Sequence, residues 1–156
     1  MQVLTIRAAT LTDLPDLTRL WHEKMILQQQ ADRRFTLMPD AQSAWSSAAS
    51  AWLIEPDCRI ELAFRNDTLV GYAIGWIRPT IPGVNPGYLG HIEDMVVDAH
   101  NPRGGVGQQL LEALKIWFYE RNIQNVVAHV QHFGAVEQAF WRAQGVVQWV
   151  DLMWIK

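Results

Sequence analysis

The residues best suited to chemistry in this chain form a glycine run between two regular stretches. Arg103, Gly104, Gly105, Val106, Gly107 and Gln108 leave the main chain nearly bare of side chains. A bare backbone lets several N–H groups converge on one anion as the chain enters a helix. Upstream, His91-Ile92-Glu93-Asp94-Met95-Val96-Val97 has the residues of a strand, stopped at Asn101-Pro102. Downstream, Val106, Leu110, Leu114 and Trp117 repeat at helical spacing with Leu111 and Phe118 beside them. Gln108, Glu112 and Lys115 lie off that stripe, and Arg121-Asn122 ends it. A strand that delivers such a loop to a helix N-terminus makes a phosphate site, because unpaired N–H groups and the helix dipole both favour negative charge.

Two familiar phosphate loops fail on particular residues. A P-loop requires Gly-Lys-Ser/Thr. This chain has Gly107-Gln108-Gln109, with no lysine for a terminal phosphate and no hydroxyl for magnesium. The dinucleotide fingerprint requires a third glycine where Leu110 stands, and an acid about 20 residues further on.

The run resembles instead the pyrophosphate motif of the GNAT superfamily, the acyl-CoA-dependent N-acetyltransferases, whose pattern is Gln/Arg-x-x-Gly-x-Gly/Ala. It falls on residues 102–107, with Gly105 and Gly107 matching and Pro102 in the first position. Other matches follow in family order. They are Ile6-Arg7-Ala8-Ala9 with Asp13-Leu14-Pro15, then Val70-Gly71-Tyr72-Ala73, then residues 92–97, then Phe140-Trp141-Arg142-Ala143-Gln144-Gly145-Val146. The resemblance implies an α/β fold with a mixed, mostly antiparallel sheet flanked by helices. That sheet is splayed at a parallel pair formed by the strand ending near Val97 and the strand around Val127, within a single domain over residues 1–156. It also implies acetyl-CoA as co-substrate, held by Arg103, Gly104, Gly105, Val106, Gly107 and Gln108. Main-chain groups of Met95, Val96 and Val97 would pair with the pantetheine like an added strand.

Acetyl transfer to an amine needs the reactants held close, a neutral amine and a route for its proton. A lysine-like amine has a pKa of ~10.4, so a proton acceptor helps at neutral pH. Glu93 and Asp94 are the catalytic candidates. Adjacent strand residues point to opposite faces, so only one of them faces the acceptor unless the strand bulges. Ile92-Glu93-Asp94-Met95 also resembles the Leu-Glu-Asp-Leu element of the diamine acetyltransferases, where both acids lie at the acceptor site. The competing reading makes one acid a strand-edge charge and the other a structural partner of Arg59, Arg65 or Arg78. His91, His129 and His132 are further base candidates, though a lone histidine is more often a satisfied structural one. Two positions depart from the family: Trp141 stands where a tyrosine often protonates the leaving thiolate, and Gly134 where an asparagine is common. The resulting expectation is an N-acetyltransferase acting on the primary amine of a small molecule. The alternative is a noncatalytic acyl-CoA-binding or regulatory module, which Pro102, Gly134 and Trp141 favour.

The elements that must position these residues follow from pattern. Residues 3–7 alternate as a first strand, and residues 10–13 offer caps for a helix with Pro15 in its first turn. Leu17, Leu20, Trp21 and Met25 form its apolar face. The polar run 28–34 reads either as a solvated helix end or as a lid. Asp40 begins a second helix with Trp45, Ala48, Ala49 and Trp52 inward. Residues 59–64 and 68–77 form a hairpin around Asn66-Asp67, and residues 79–87 form a loop. Gly71 and Gly75 mark a bulge, a close backbone approach or simple packing. Residues 125–130 form a strand parallel to the one before the glycine run, since a helix connects them. Residues 135–144 make a short helix with Val136, Ala139 and Phe140 inward, stopped by Gly145, and residues 146–155 return as a last extended segment. Trp21, Trp45, Trp52 and Trp117 read as core, while Trp149 and Trp154 would line a pocket or an interface, the latter making a homodimer.

Composition narrows the classes. The 156 residues are 49% hydrophobic and 19% charged, enough for a sizeable core. A formal charge of −3 without a basic block gives no footprint for nucleic acid and mildly favours a cationic substrate. Cys58 is the one cysteine, and no ligand set has metal spacing, so neither a disulfide nor a metal is expected. There is no basic leader before a long apolar run, and no stretch nears ~20 apolar residues, so a cytoplasmic protein without a membrane partner is expected.

Overall fold

The computed structural model describes residues 3–101, 104–132 and 134–156. Strand β1 (Leu4–Ala8) leads into a 3₁₀ turn at Leu11–Asp13 and helix α1 (Leu14–Ala31). The turn is tied down by Asp13, which accepts the Thr10 N–H at 2.8 Å and the Arg7 guanidinium at 2.7 and 2.8 Å. The Arg7 contact, more than any other, holds the Asp13 carboxyl down at about 2. Pro15 sits in the first turn of α1, where its missing N–H costs nothing. The helix runs on through Gln30, so the polar stretch begins as a solvated helix end.

Helix α2 (Ala41–Trp52) starts after Asp40, whose side chain makes no capping bond, and buries Ala49. Strands β2 (Cys58–Arg65) and β3 (Thr68–Pro79) form the expected hairpin, with Asn66 at φ 47° and Asp67 at φ 64°. Two positive φ values in a two-residue loop make a type I′ turn, whose twist matches the flanking strands. Strand β4 (Tyr88–Val97), helix α3 (Val106–Glu120), strand β5 (Val126–Ala128) and helix α4 (Ala135–Ala143) complete the order.

The five strands lie in sequence order in one sheet. Every pairing is antiparallel except β4 with β5, which is parallel from Gly90↔Val126 to Ile92↔Ala128. Strand β4 continues to Val97 after β5 has ended, so the sheet splits there as expected.

Two cores cover the two faces. On one, Val106, Leu110, Leu111, Leu114, Trp117 and Phe118 of α3 pack on Val70, Ala73 and Ile92, with Trp141 of α4. On the other, Leu17 and Leu20 of α1 pack on Ile60, Leu62, Leu69, Tyr72, Ile74 and Val96. Each such side chain contributes roughly 1.5–3 kcal/mol. The six from α3 therefore anchor that helix far more firmly than Trp141, the one buried residue of α4, anchors its own.

Helix α3 lies so close to the sheet that glycine is required beneath it. A Cβ on Gly75 would come 3.1 Å from Leu114 and Phe118, and one on Gly90 would come 2.8 Å from Phe118.

Two expectations fail. Val136 and Ala139 of α4 are exposed, because the helix turns Trp141 and, in part, Phe140 toward the α3 face. Residues 146–156 form no strand and are exposed throughout, with Leu152 98% accessible, because among the described residues no strand pairs with them.

The close packing of α3 sets a stability test. Gly90→Ala should lower unfolding free energy by about 1–3 kcal/mol through overpacking against Phe118. Gly87→Ala, whose Cβ would meet nothing within 4 Å, should stay within about 0.5 kcal/mol of the parent. Urea denaturation checks both, and coincident midpoints would contradict the account.

Candidate active site

The acids are placed by a bulge. Across β3 and β4, Ile74 faces Asp94 and Gly75 faces Ile92, so Glu93 is the extra residue. An extra residue reverses the side-chain alternation of every position beyond it. The packing shows the reversal: Ile92, Met95 and Val97 belong to the α3 core, whereas Val96 belongs to the α1 core. Glu93 and Asp94 thereby emerge side by side on the α1/α2 face.

There they line a pocket of about 430 Å³ with Lys24, Trp45, Trp52, Ile74, Trp76 and Arg78. Asp94 has both oxygens engaged. Oδ1 pairs with the Lys24 ammonium, and Oδ2 accepts the Tyr72 hydroxyl at 2.6 Å. Burial, reinforced by Asp94, pushes the Tyr72 phenol well above its ordinary pKa, which keeps it protonated and donating. Glu93 is more open, and its Oε2 meets Arg78 Nη2 at 2.5 Å. Both acids thus have cationic partners. Arg78 was anticipated as such a partner, whereas Lys24 was not. Of the other arginines considered, Arg59 pairs with Glu61 at 2.7 Å.

Glu137, in the first turn of α4, is a further carboxyl near these groups. Burial holds its pKa above the ordinary range, with Lys24 opposing and Asp94 adding to the rise. The histidines are less central. Burial, then Arg78 and His129, pulls His91 below its ordinary pKa, and its Nδ1 is buried without a partner among the described residues. The His129 ring lies 6.0 Å from it. His132 is exposed and meets Asp151 at 3.3 Å, away from the pocket lining. Burial raises the Cys58 thiol to about 12, so it is no nucleophile at neutral pH.

On the other side of β4 lies the glycine loop. Gly104 has φ 96°, and Gly105, at φ 69°, is the residue from which α3 starts. Among the described residues no side chain caps this helix, and its first internal bond is donated by Gln109 to the Gly105 carbonyl at 3.0 Å. The N–H groups of Val106, Gly107 and Gln108 therefore have no helical acceptor. The approach to the loop is fixed by buried Asp98, which accepts the His100 N–H and donates its own N–H to the Val70 carbonyl at 2.8 Å. A Cβ on Gly104 would come 2.6 Å from Arg65 Nη2, so a guanidinium stands against the loop. Pro102 and Arg103 lie outside the described residues. Gly107 is required for a different reason from a positive φ, since its Cβ would meet the Phe140 ring at 3.1 Å.

The main chain at Met95, Val96 and Val97 pairs with Ala73, Tyr72 and Gly71 on the β3 side. Its β5 side has no ladder partner among the described residues. An open edge thus runs from the α3 N-terminus toward Glu93 and Asp94. Trp141 is sealed into the α3 core at 6% exposure.

Sequence reasoning took Trp45 and Trp52 for core, yet both also face the pocket. It did not single out Lys24, Tyr72, Trp76 or Glu137. The alternation of β3 places Trp76 on the face of Tyr72 and Ile74, and that signal would have found it.

Comparison with known proteins agrees with this geometry. The family model described as "Acetyltransferase (GNAT) family" matches residues 17–146. A comparison with curated proteins gave no match. Among solved structures, the aminoglycoside 6'-N-acetyltransferase AAC(6')-Ih from Acinetobacter baumannii is 15% identical with a TM-score of 0.78, over 99% of this chain and 97% of that one. A predicted acetyltransferase with acetyl-CoA from Clostridium acetobutylicum is 17% identical with a TM-score of 0.77, over 97% and 96%. An aminoglycoside acetyltransferase from an uncultured soil metagenomic sample, in complex with sisomicin, is 19% identical with a TM-score of 0.73, over 98% and 95%. At these identities the likeness concerns the fold.

Proposed function

The chain belongs to the acetyltransferase (GNAT) family, and we propose that it moves the acetyl group of acetyl-CoA directly to the primary amine of a small molecule, as one domain over residues 1–156. The observation that carries this reading is the meeting of two openings at the bulged acids. The uncapped α3 N-terminus and the open edge of β4 suit a pyrophosphate and an amide-bearing chain. The pocket on the other side suits an amine.

The residues of this chain divide the work as follows. Backbone N–H groups of Gly105, Val106, Gly107 and Gln108 hold the pyrophosphate, with Gly104 and Arg103 completing the loop. Main-chain groups of Met95, Val96 and Val97 align the pantetheine. Bound there, acetyl-CoA supplies an activated acetyl group. Glu93 takes the proton of the incoming ammonium, directly or through water. Its Oε1 has no protein donor among the described residues, whereas both oxygens of Asp94 are engaged. Asp94 instead fixes Lys24 and Tyr72 around the acceptor. The amine nitrogen then bonds to the acetyl carbon and gives up a second proton to water as the carbon–sulfur bond breaks, and the thiolate takes a proton from solvent. Trp141, buried and without an acidic proton, takes no part. A thiol of pKa ~8.5 is a tolerable leaving group, so a dedicated acid is not essential.

Two accessory readings belong to the same proposal. The chain works in the cytoplasm, where acetyl-CoA is available; among the described residues no helix is long and apolar enough to cross a membrane. It also pairs as a homodimer that covers the apolar segment 146–156, where Leu152, Ile155 and Trp149 are otherwise exposed.

Release of thiol from acetyl-CoA in the presence of amines separates an enzyme from a binding module. Glu93→Gln should lower kcat/KM by roughly 10²–10⁴-fold with CoA affinity little changed, and Asp94→Asn should lower it less. Near-normal activity of Glu93→Gln across pH would place the base elsewhere. Gly105→Val should weaken CoA binding about tenfold or more, because a β-branched residue resists a left-handed backbone. Lys115→Ala, exposed and paired with Glu112, should bind CoA normally. Equal effects of these two changes on calorimetric CoA affinity would remove the loop assignment. Sedimentation at micromolar concentration should show a dimer, and a monomer at all concentrations would refute the covered tail.

A further inference from the structure

The acceptor pocket has a wall and a charge balance that acetyl transfer alone does not require. Three indoles form the wall. Trp45 and Trp52 meet edge to face at 5.9 Å and 90°, and Trp52 and Trp76 do so at 6.1 Å and 81°. The far side of Trp45 is stacked on Trp21 at 4.9 Å and 12°. Each indole is thus held by another ring before any ligand arrives, and little side-chain freedom is left to lose on binding. Ile74 extends the apolar surface.

The polar end is balanced. Of the residues that line the pocket, Glu93 and Asp94 are acidic and Lys24 and Arg78 are basic, and each acid is in contact with one base. Within this lining a polycation therefore finds no surplus carboxylate; Glu137 lies near Lys24 and Asp94 but is not part of the lining, and burial disfavours its charged form. Each ammonium beyond the first must lie near Lys24, near Arg78 or against indole, and it loses hydration without gaining a partner. An amine that carries its own carboxylate fares no better, since both cations are already engaged. A single amine on a flat apolar body meets neither penalty. Its body displaces water from the indoles while its nitrogen reaches Glu93.

We infer that the acceptor is a monoamine on an aromatic or comparably flat apolar skeleton without a carboxylate, in chemical class an arylalkylamine, and that the pocket discriminates against polyamines and amino sugars. Its turnover rests on the acetyl-transfer reading, whereas its binding does not.

The test is a panel of tryptamine, phenethylamine, n-butylamine, tryptophan, spermidine and sisomicin, measured for thiol release from acetyl-CoA and, separately, for binding by calorimetry. Tryptamine and phenethylamine should exceed the other four by about tenfold or more in kcat/KM and in affinity. Trp52→Leu should raise the KM for tryptamine about tenfold, with a smaller rise for n-butylamine. Spermidine, sisomicin or tryptophan as the best substrate would overturn the inference and leave acetyl transfer standing. No thiol release with any amine, but tightest binding of tryptamine and phenethylamine, would overturn acetyl transfer and support the pocket assignment. Absence of any preference for the aryl amines in both measurements would overturn the inference.

Discussion

One extra residue in β4 governs the chemistry of this fold. Without it, Glu93 and Asp94 would point to opposite faces, one of them into the apolar core beneath α3, where an unpaired carboxylate is costly. With it, the strand keeps Gly90 and Ile92 under α3, turns two consecutive acids to the α1/α2 face, and returns Met95 and Val97 to the α3 core. The partner strand accommodates the irregularity at Gly75, where Leu114 and Phe118 of α3 also press on β3. A second irregularity, between Ala63 and Phe64 of β2, leaves Val70 as the extra residue of β3. The Val70 carbonyl accepts the N–H of Asp98, which leads into the glycine loop. Local departures from a regular ladder thus position both halves of the site.

Two acids brought together in a half-buried pocket repel one another unless each is compensated. The fold supplies one cation from α1 and one from β3, so neither acid is left without a counter-charge. The compensation is unequal. Asp94 is tied on both oxygens, by a lysine and by a buried phenol, which makes it a fixed part of the wall. Glu93 is held on one oxygen by the half-exposed Arg78, and its side chain is more open than that of Asp94. The proposed division of roles between the two acids rests on this difference in burial.

Much of this was legible in the sequence where the signal is local. The Asn66-Asp67 hairpin, the six-residue apolar stripe of α3 and the glycine turn at Gly104-Gly105 follow from spacing within a few residues, and the parallel β4–β5 pair follows from the helix that connects its strands. The acid pair was legible as well, together with the condition that a bulge would be needed to make both useful. What escaped depends on contacts between distant segments. Lys24 reaches Asp94 from a helix 70 residues away in sequence. Tyr72 finds Asp94 only through the β3–β4 register, and Trp45 and Trp52 of α2 both line the pocket and pack against the core. The apolar pattern of residues 146–155 was read as a strand, but a strand exists only with a partner, and none pairs with it among the described residues. Periodicity likewise misjudged α4, whose packing against the α3 core buries Trp141 and leaves Val136 exposed.

The account stands on two openings that meet at Glu93 and Asp94, and a crystal structure of the protein with CoA tests this most directly. The account predicts pyrophosphate density against the N–H groups of residues 105–108 and pantetheine density along the open edge of β4. The sulfur should then point toward the bulge, and the indole-lined pocket should remain free for the amine. CoA lodged in the indole pocket, or a regular β4 with Glu93 and Asp94 on opposite faces, would contradict it.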